Sequence, residues 1–252
     1  AIATVIGNVV GACYYILYFL RGRSILSINL RIFTIREKVA SGVLSIGIPA
    51  ALGSLMMSIS QIVMNSQMAR YGDMALAGAG VAMKVTMMTG MVCIGLGQGI
   101  QPLLGYCVGA KKWNRHKKVL RFSLIFAFIL STLLTGVCYL FTDEIVHAFL
   151  TDENAFAYGV SFSRILLSTS FLFGVFYVIT NALQACGAAK ESLIVNISRQ
   201  GLIYIPCMFI LAAFFQETGL IWAQPVADIL SLVLAVTLYI KKSKQMGKGL
   251  SL

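Results

Sequence analysis

The stretch GLGQGIQPLLGYCVGAKKWNRHKK, residues 95–118, begins inside an apolar run and ends in a cluster of cations. Its first half reads as the end of a membrane helix. Its second half, with Lys111, Lys112, Arg115, Lys117 and Lys118, reads as the basic anchor that holds such a helix at a membrane surface. Two glutamines, a proline and five glycines in the apolar half are expensive in hydrocarbon and ask for a role.

The rest of the chain repeats this pattern. Of 252 residues, 58% are hydrophobic and 12% charged, about half the charge of an ordinary soluble protein. Apolar segments recur at 2–20, 43–66, 75–108, 119–141, 156–186, 192–215 and 220–240. Each reaches the ~20 residues that cross a hydrocarbon core, the longer ones tilted or kinked. The expected fold is an all-α integral membrane protein of about seven transmembrane helices.

Charge position sets the topology. The net charge is +11, from 20 Lys plus Arg against 9 Asp plus Glu. Arg21, Arg23, Arg31, Arg36 and Lys38 follow the first segment; the Lys111 cluster follows the third; Lys190 follows the fifth; Lys241, Lys242, Lys244 and Lys248 follow the last. The alternate loops carry Asp73, Asp143, Glu144, Asp152, Glu153 and Glu217, with Arg70 as their clear cation. This asymmetry puts residue 1 outside and the C-terminus in the cytoplasm of a multi-pass cell (plasma or inner) membrane protein. The cations sit where topology already requires them, which argues against a nucleic-acid partner.

Other classes are weakly supported. Cys13, Cys93, Cys107, Cys138, Cys186 and Cys207 are scattered without a C-x-x-C pair, and His116 and His147 stand apart, so no metal, cofactor or catalytic constellation is expected and no enzyme. A seven-helix receptor with an outside N-terminus finds no lysine within the last helix for a retinal Schiff base. Ala1 opens directly into an apolar helix, without Met or a signal-peptide n-region, which reads as a piece of a longer protein.

Residues 21–41, RGRSILSINLRIFTIREKVAS, form the longest cytoplasmic interruption and are amphipathic enough to lie on the membrane surface. They divide a lone helix, 1–20, from a six-helix unit, 42–241, followed by a basic tail, 242–252. The outer stretch 142–158 alternates acids with Ile145, Val146, Phe149 and Phe156 and reads as interfacial.

Polar stripes mark what the helices face. Ser54, Ser58, Gln61 and Asn65 share one face of the second segment; Ser170, Gly174, Tyr177, Asn181 and Gln184 share one on the fifth. Gln98 and Gln101 share a face of the third, and Gln224, Asp228 and Ser231 one of the last. Interhelical hydrogen bonds explain single residues, at about 0.6 kcal/mol each. Four stripes together point to a hydrated cavity, lined by Met57, Ser58, Gln61, Met64, Asn65, Tyr177, Asn181 and Gln184. Lys84, Arg199 and Asp228 lie ~12–14 Å deep by helical rise, close to mid-membrane, so Asp228 is expected to pair with Lys84 or Arg199. Nine of 11 methionines fall in the second and third segments, suiting either an adaptable ligand surface or a loose core. Pro102 frees the carbonyl of Gln98; with Gly95, Gly97, Gly99, Gln101 and Gly105 it should form a flexible gating joint, and Pro49 is a second candidate kink.

These residues resemble a known family. The 95–115 stretch is similar to the end of the second helix in the C-terminal lobe of multidrug and toxic compound extrusion (MATE) transporters, members of the MOP flippase superfamily. So is IGIPAALGSLMMSISQIVMNSQMARYGDMALAGAGVAMK, 46–84, together with NALQACGAAKES, ISRQGLIYIPCMFI and the closing GLIWAQPVADILSLVLA. The match runs in order from about residue 40 to 242.

The resemblance implies one lobe of a twelve-helix, two-lobe antiporter that rocks around a central cavity. It would export amphipathic organic cations and other drugs in exchange for protons or sodium ions, working as a monomer in the lipid bilayer with the N-terminal lobe of the same protein as partner. The sodium-coupled members carry a Glu near the position of Met57 and an Asp near that of Phe173, and neither is acidic here. That leans the reading toward the DinF-like branch and protons as coupling ion. A flippase of a lipid-linked saccharide from the same superfold is the alternative; it would want several deep cations for pyrophosphate, where this chain offers Lys84, Arg199 and Arg164.

Overall fold

The computed structural model describes residues 2–20 and 39–248, and every regular element among them is helical. The proposed surface connector, 21–41, lies almost wholly outside the described residues, as does the end of the basic tail from 249. The chain divides into two units, Ala1–Leu44 and Ser45–Leu252. In the first, α1 (Ile2–Leu20) is an apolar helix with Val10, Tyr14 and Tyr15 exposed.

The second unit is built from most of α2 (Val39–Met68), then α3 (Asp73–Gly109), α4 (Trp113–Leu140), α5 (Thr142–His147), α6 (Glu153–Ser170), α7 (Phe173–Ala185), α8 (Ala189–Ile197) and α9 (Tyr204–Lys248). A 3-10 turn, Ala69–Tyr71, follows α2, and a π-helical segment, Ser198–Leu202, follows α8. At 1.5 Å per residue the 37 residues of α3 extend ~55 Å, enough to cross the membrane and reach beyond it. α3 packs on α4, α6 and α7 at once and is the spine of the unit.

Small residues permit that packing. A Cβ on Gly97 would meet Asn181 Nδ2 at 2.6 Å and the Tyr177 carbonyl at 3.1 Å, so α3 and α7 touch at backbone distance. A Cβ on Gly78 would stand 2.7 Å from Tyr158 Cβ, which brings α3 equally close to α6. Apolar clusters across several helices fill the remaining space. Met64, Ala79, Phe162, Met208 and Ile221 join α2, α3, α6 and α9, and Leu104, Leu120, Ala127 and Val178 join α3, α4 and α7.

The fifth apolar segment, expected as one span, is two helices, α6 and α7, bent by 48°. The break leaves the Phe171 carbonyl outside the helical ladder, and Ser131 Oγ on α4 donates to it at 2.6 Å. Gly174, just past the break, leaves room for nothing between itself and the Ala127 carbonyl, so α4 presses against the bend. The 45 residues of α9 are likewise not one rod. Gln216 takes φ 53°, ψ −133°, and Gly219 comes into backbone contact with Leu211, eight residues earlier, where a continuous helix would hold them ~12 Å apart. The chain reverses at Gln216, so 204–215 and 217–248 are separate spans, as the segments 192–215 and 220–240 predict.

Charge separates along the unit. At the start of α4, His116 Nε2 lies 3.1 Å from the Tyr239 hydroxyl late in α9, and near it Lys242 pairs with Glu191 of α8 at 3.5 Å. At the far end of α4, Arg164 pairs with Asp143 at 3.1 Å, and Asp152 caps α6 by accepting from the backbone N–H of Asn154 and Ala155. The cation-rich loops thus share one end and the acidic loops the other.

Candidate functional site

A cavity of 430 Å³ opens on the face formed by α2 and α3, with α7, the π segment and both arms of α9 behind it. From α2 it receives Met57, Ser60, Gln61, Met64 and Asn65, at spacings of three and four that place them on one face. From α3 come Gly80, Met83, Lys84, Met87, Gly90 and Met91 by the same rule. Phe173, Tyr177, Arg199, Tyr204 and Gln224 make the back wall.

Methionine resolves into two populations. Met64 and Met68 are 1% exposed and belong to the core, whereas Met57, Met87 and Met91 are 52–59% exposed. These last three stand on the cavity face, with Met64 and Met83 beside them, where flexible thioethers can reshape to fit different apolar bodies. Gln61 Nε2 donates to Met83 Sδ at 3.2 Å and ties the two front helices together.

The back wall is organised around one buried cation. Arg199 Nε donates to Asp228 Oδ1 at 2.7 Å, and its NH1 donates to the Tyr177 hydroxyl at 3.1 Å. The guanidinium carbon stands 4.9, 4.7 and 5.5 Å from the rings of Phe173, Phe176 and Tyr177, so aromatic faces enclose the charge that Asp228 neutralises. Gln224 Nε2 adds a second hydrogen bond to Asp228 Oδ1 at 3.0 Å, while Oδ2 is buried without a partner among the described residues. Both charged groups are under 10% exposed. Of the two partners the sequence offered Asp228, Arg199 is the one that reaches it; Lys84 instead extends over the Phe149 ring, 5.5 Å from its centroid.

The π segment explains how Arg199 gets there. One extra residue in the turn re-aims the side chains of Ser198–Leu202, and Ser60 Oγ on α2 donates to the Gln200 carbonyl opened by it. Nothing in the sequence ISRQGLI signals that turn, and the aromatic enclosure was equally hidden. Phe173 and Phe176 read in the sequence as apolar helix, and Tyr177, expected on the cavity wall, gave no sign that its ring also flanks a guanidinium. Ser60 and Tyr204 also line the cavity without a sign in the sequence, and so do Gln224, from the last polar stripe, and Met83, Met87 and Met91, from the methionine-rich segments.

The other candidate residues are spread through the packing. Ser58 bonds back to the Ser54 carbonyl of its own helix at 3.2 Å. Asn181 donates to the Tyr177 carbonyl at 2.8 Å, beneath Gly97. Gln184 bridges Gln101 Nε2 at 3.3 Å and Ser192 Oγ at 3.0 Å, linking α3, α7 and α8 near the cation-rich end. Gln98 is exposed, and Gly95, Gly99 and Gly105 have no atom within 4 Å of where a Cβ would stand. Pro102 lies inside α3 and Pro49 inside α2. Among the described residues no group of His, Cys, Asp and Glu is arranged to hold a metal ion.

The family model MatE matches residues 49–210, the stretch that contains α3 to α8 and most of the cavity wall. The chain belongs to the MatE family. The multidrug export protein MepA of Staphylococcus aureus is 29% identical over 236 residues, which is 94% of this chain and 52% of MepA. MepA of Staphylococcus haemolyticus is 27% identical over the same shares. Among solved structures, the MATE multidrug transporter DinF-BH, solved in complex with a ligand, is 32% identical, with a TM-score of 0.81 over 95% of this chain and 54% of that one. A MATE protein in complex with MaL6 shares the fold at a TM-score of 0.89 and 18% identity, over 98% of this chain and 56% of that one. The chain spans about half the length of these relatives. Membership in the MatE family and the run of apolar helices make it a multi-pass membrane protein.

Proposed function

We propose that the protein to which this chain contributes exports amphipathic organic compounds, drugs among them, as a secondary active antiporter. The cavity carries this reading. It is large enough for a drug-sized molecule, adaptable along its methionine face and rigid along its back wall, where the Arg199–Asp228 pair is fixed by aromatic rings. Two multidrug export relatives and a solved multidrug transporter support it.

In this reading α2 to α9 form one lobe, which rocks against the lobe that the longer relatives carry in addition, with the cation-rich end and the C-terminus in the cytoplasm. Protons are the proposed coupling ion and no cofactor takes part. The absence of a carboxylate at Met57 and Phe173 and the 32% identity to DinF-BH both favour the DinF-like branch. One protomer suffices, since the cavity is assembled within a single chain.

Dye efflux from vesicles containing the purified protein tests this. Extrusion of a fluorescent amphiphile should follow an imposed proton gradient and stop when a protonophore collapses it. Extrusion driven by a sodium gradient alone would overturn the coupling assignment, and no movement under either gradient would overturn export.

A further inference from the structure

Residues 111–121 hold six cations, Lys111, Lys112, Arg115, Lys117, Lys118 and Arg121, and the chain has no Asp or Glu from 74 to 142. Among the described residues, none of the six takes part in an ion pair. Topology needs fewer. The link between α7 and α8, at the same end, is followed by Lys190 with Glu191 beside it.

The turn that presents these cations is held in a fixed shape. The N–H of Lys111 donates to the Val108 carbonyl at 3.0 Å and that of Lys112 to the Cys107 carbonyl at 2.9 Å, closing α3 in a Schellman turn. Its left-handed position, φ 55°, belongs to Lys111, where glycine is the unstrained choice. The side chain kept there adds an ammonium to a concavity of 460 Å³ that Lys112, Trp113, Asn114 and Arg115 also line. The indole N–H of Trp113 is buried with no partner among the described residues, and an anionic oxygen would accept from it.

An apolar track leads away from the concavity. Arg115, Lys118, Phe122, Phe126, Ile129 and Leu133 recur at spacings of three and four, so they share one face of α4, and all are exposed. The rings of Phe122 and Phe126 stack with centroids 6.2 Å apart. From Phe122 to Leu133 the helix rises ~17 Å, close to the depth of one leaflet of a ~30 Å core. α4 gives no residue to the cavity between α2, α3 and α9, so the track is not part of it.

We propose that the start of α4 is a binding site for an anionic phospholipid, with the phosphate group among Lys111, Lys112 and Arg115 and acyl chains along Phe122, Phe126 and Ile129. Cations alone attract any anion. A charged concavity continuous with a leaflet-long apolar track fits a molecule that has both parts. The site needs only a bilayer around the chain and does not depend on what the cavity carries.

Native mass spectrometry of the purified protein, released from detergent containing equal amounts of phosphatidylglycerol and phosphatidylcholine with identical acyl chains, reads the preference. Wild type should retain the anionic lipid about tenfold over the zwitterionic one. Lys111→Gln, Lys112→Gln and Arg115→Gln together should abolish the preference, and inorganic phosphate in excess should leave the lipid bound. Lys111→Gly separates binding from folding: it relieves the left-handed strain, so the thermal midpoint in phosphatidylcholine should rise while the preference falls. Equal retention of the two lipids by wild type, or an unchanged preference in the triple variant, would overturn the proposal. Displacement of the lipid by inorganic phosphate would overturn the phospholipid as the ligand and leave a simple anion site.

Discussion

Arg199 Nε meets Asp228 Oδ1 at 2.7 Å between the π segment after α8 and the second arm of α9, with both side chains under 10% exposed. Burial makes each charge depend on the other. Asp228→Asn leaves the guanidinium uncompensated and should cost about 3–5 kcal/mol, read as a fall in thermal midpoint in detergent. Arg199→Met combined with Asp228→Leu removes both charges and should cost less than the sum of the single changes. Additive losses would show that the two side chains do not interact in the folded protein.

Two glycines that look alike in sequence should behave differently. Gly174 faces the Ala127 backbone at the bend between α6 and α7, with Ser131 Oγ beside it, so Gly174→Ala must push α4 away and should cost about 1–3 kcal/mol. Gly99 has open space where its Cβ would be, and Gly99→Ala should gain about 0.5–1 kcal/mol from helix propensity. Thermal melting of the two variants side by side checks both signs.

The contrast shows what periodicity carries and what it leaves out. Arg199 and Asp228, which counting along a helix marks as deep charges, are buried, whereas Lys84, marked by the same count, is exposed. Which cation meets Asp228 was not legible, because that depends on how helices are rotated about their axes and on a π turn without a sequence signal. The polar stripe through Tyr177, Asn181 and Gln184 shares a face, as spacing requires, yet Tyr177 alone of the three reaches the cavity. Asn181 and Gln184 face α3 and α8 instead, because the stripe descends toward the end where Gly97 lets α3 close onto α7. Spacing named the face, and the neighbours decided its use. The bend at Phe171 was hidden for a related reason: tertiary contacts, not proline, hold it, whereas the reversal at Gln216 falls between two apolar segments and was legible.

Gln216 has φ 53° at the reversal, a conformation that costs a residue with a Cβ about 1–3 kcal/mol. Gln216→Gly should recover about 1 kcal/mol in thermal stability, and Gln216→Val should lose stability. Equal midpoints for the three residues would mean that the backbone there is unstrained.

On the methionine face, Met87→Leu with Met91→Leu conserves volume and should change stability by less than about 1.5 kcal/mol. Branched leucine is stiffer than a thioether chain, so the variant should bind a narrower range of dyes, with bulky or bent ones losing most. Binding titrations with a panel of differently shaped amphiphiles distinguish this from a uniform loss, which would point to damage rather than lost adaptability.

Gln98, Gln101, Pro102 and the glycines from Gly99 to Gly109 follow a fixed point on α3. At Gly97, α3 is clamped to α7 by backbone approach, and at Gln101 it is joined through Gln184 to Ser192 at the start of α8. Between and beyond these anchors, Gly99 and Gly105 add no packing, and Pro102 denies the Gln98 carbonyl its helical partner. A helix built this way can bend at Pro102 while its upper half stays in place, which the export reading would use when the lobe rocks. Pro102→Ala restores the missing hydrogen bond and should raise the thermal midpoint, since proline costs about 3 kcal/mol in a helix interior. The same change should slow dye efflux while leaving equilibrium dye binding intact. Gln101→Leu, which cuts the link to Gln184, should also slow efflux, with a small loss of stability. If Pro102→Ala stabilises the protein and efflux proceeds at the wild-type rate, the proline serves packing alone and the joint lies elsewhere.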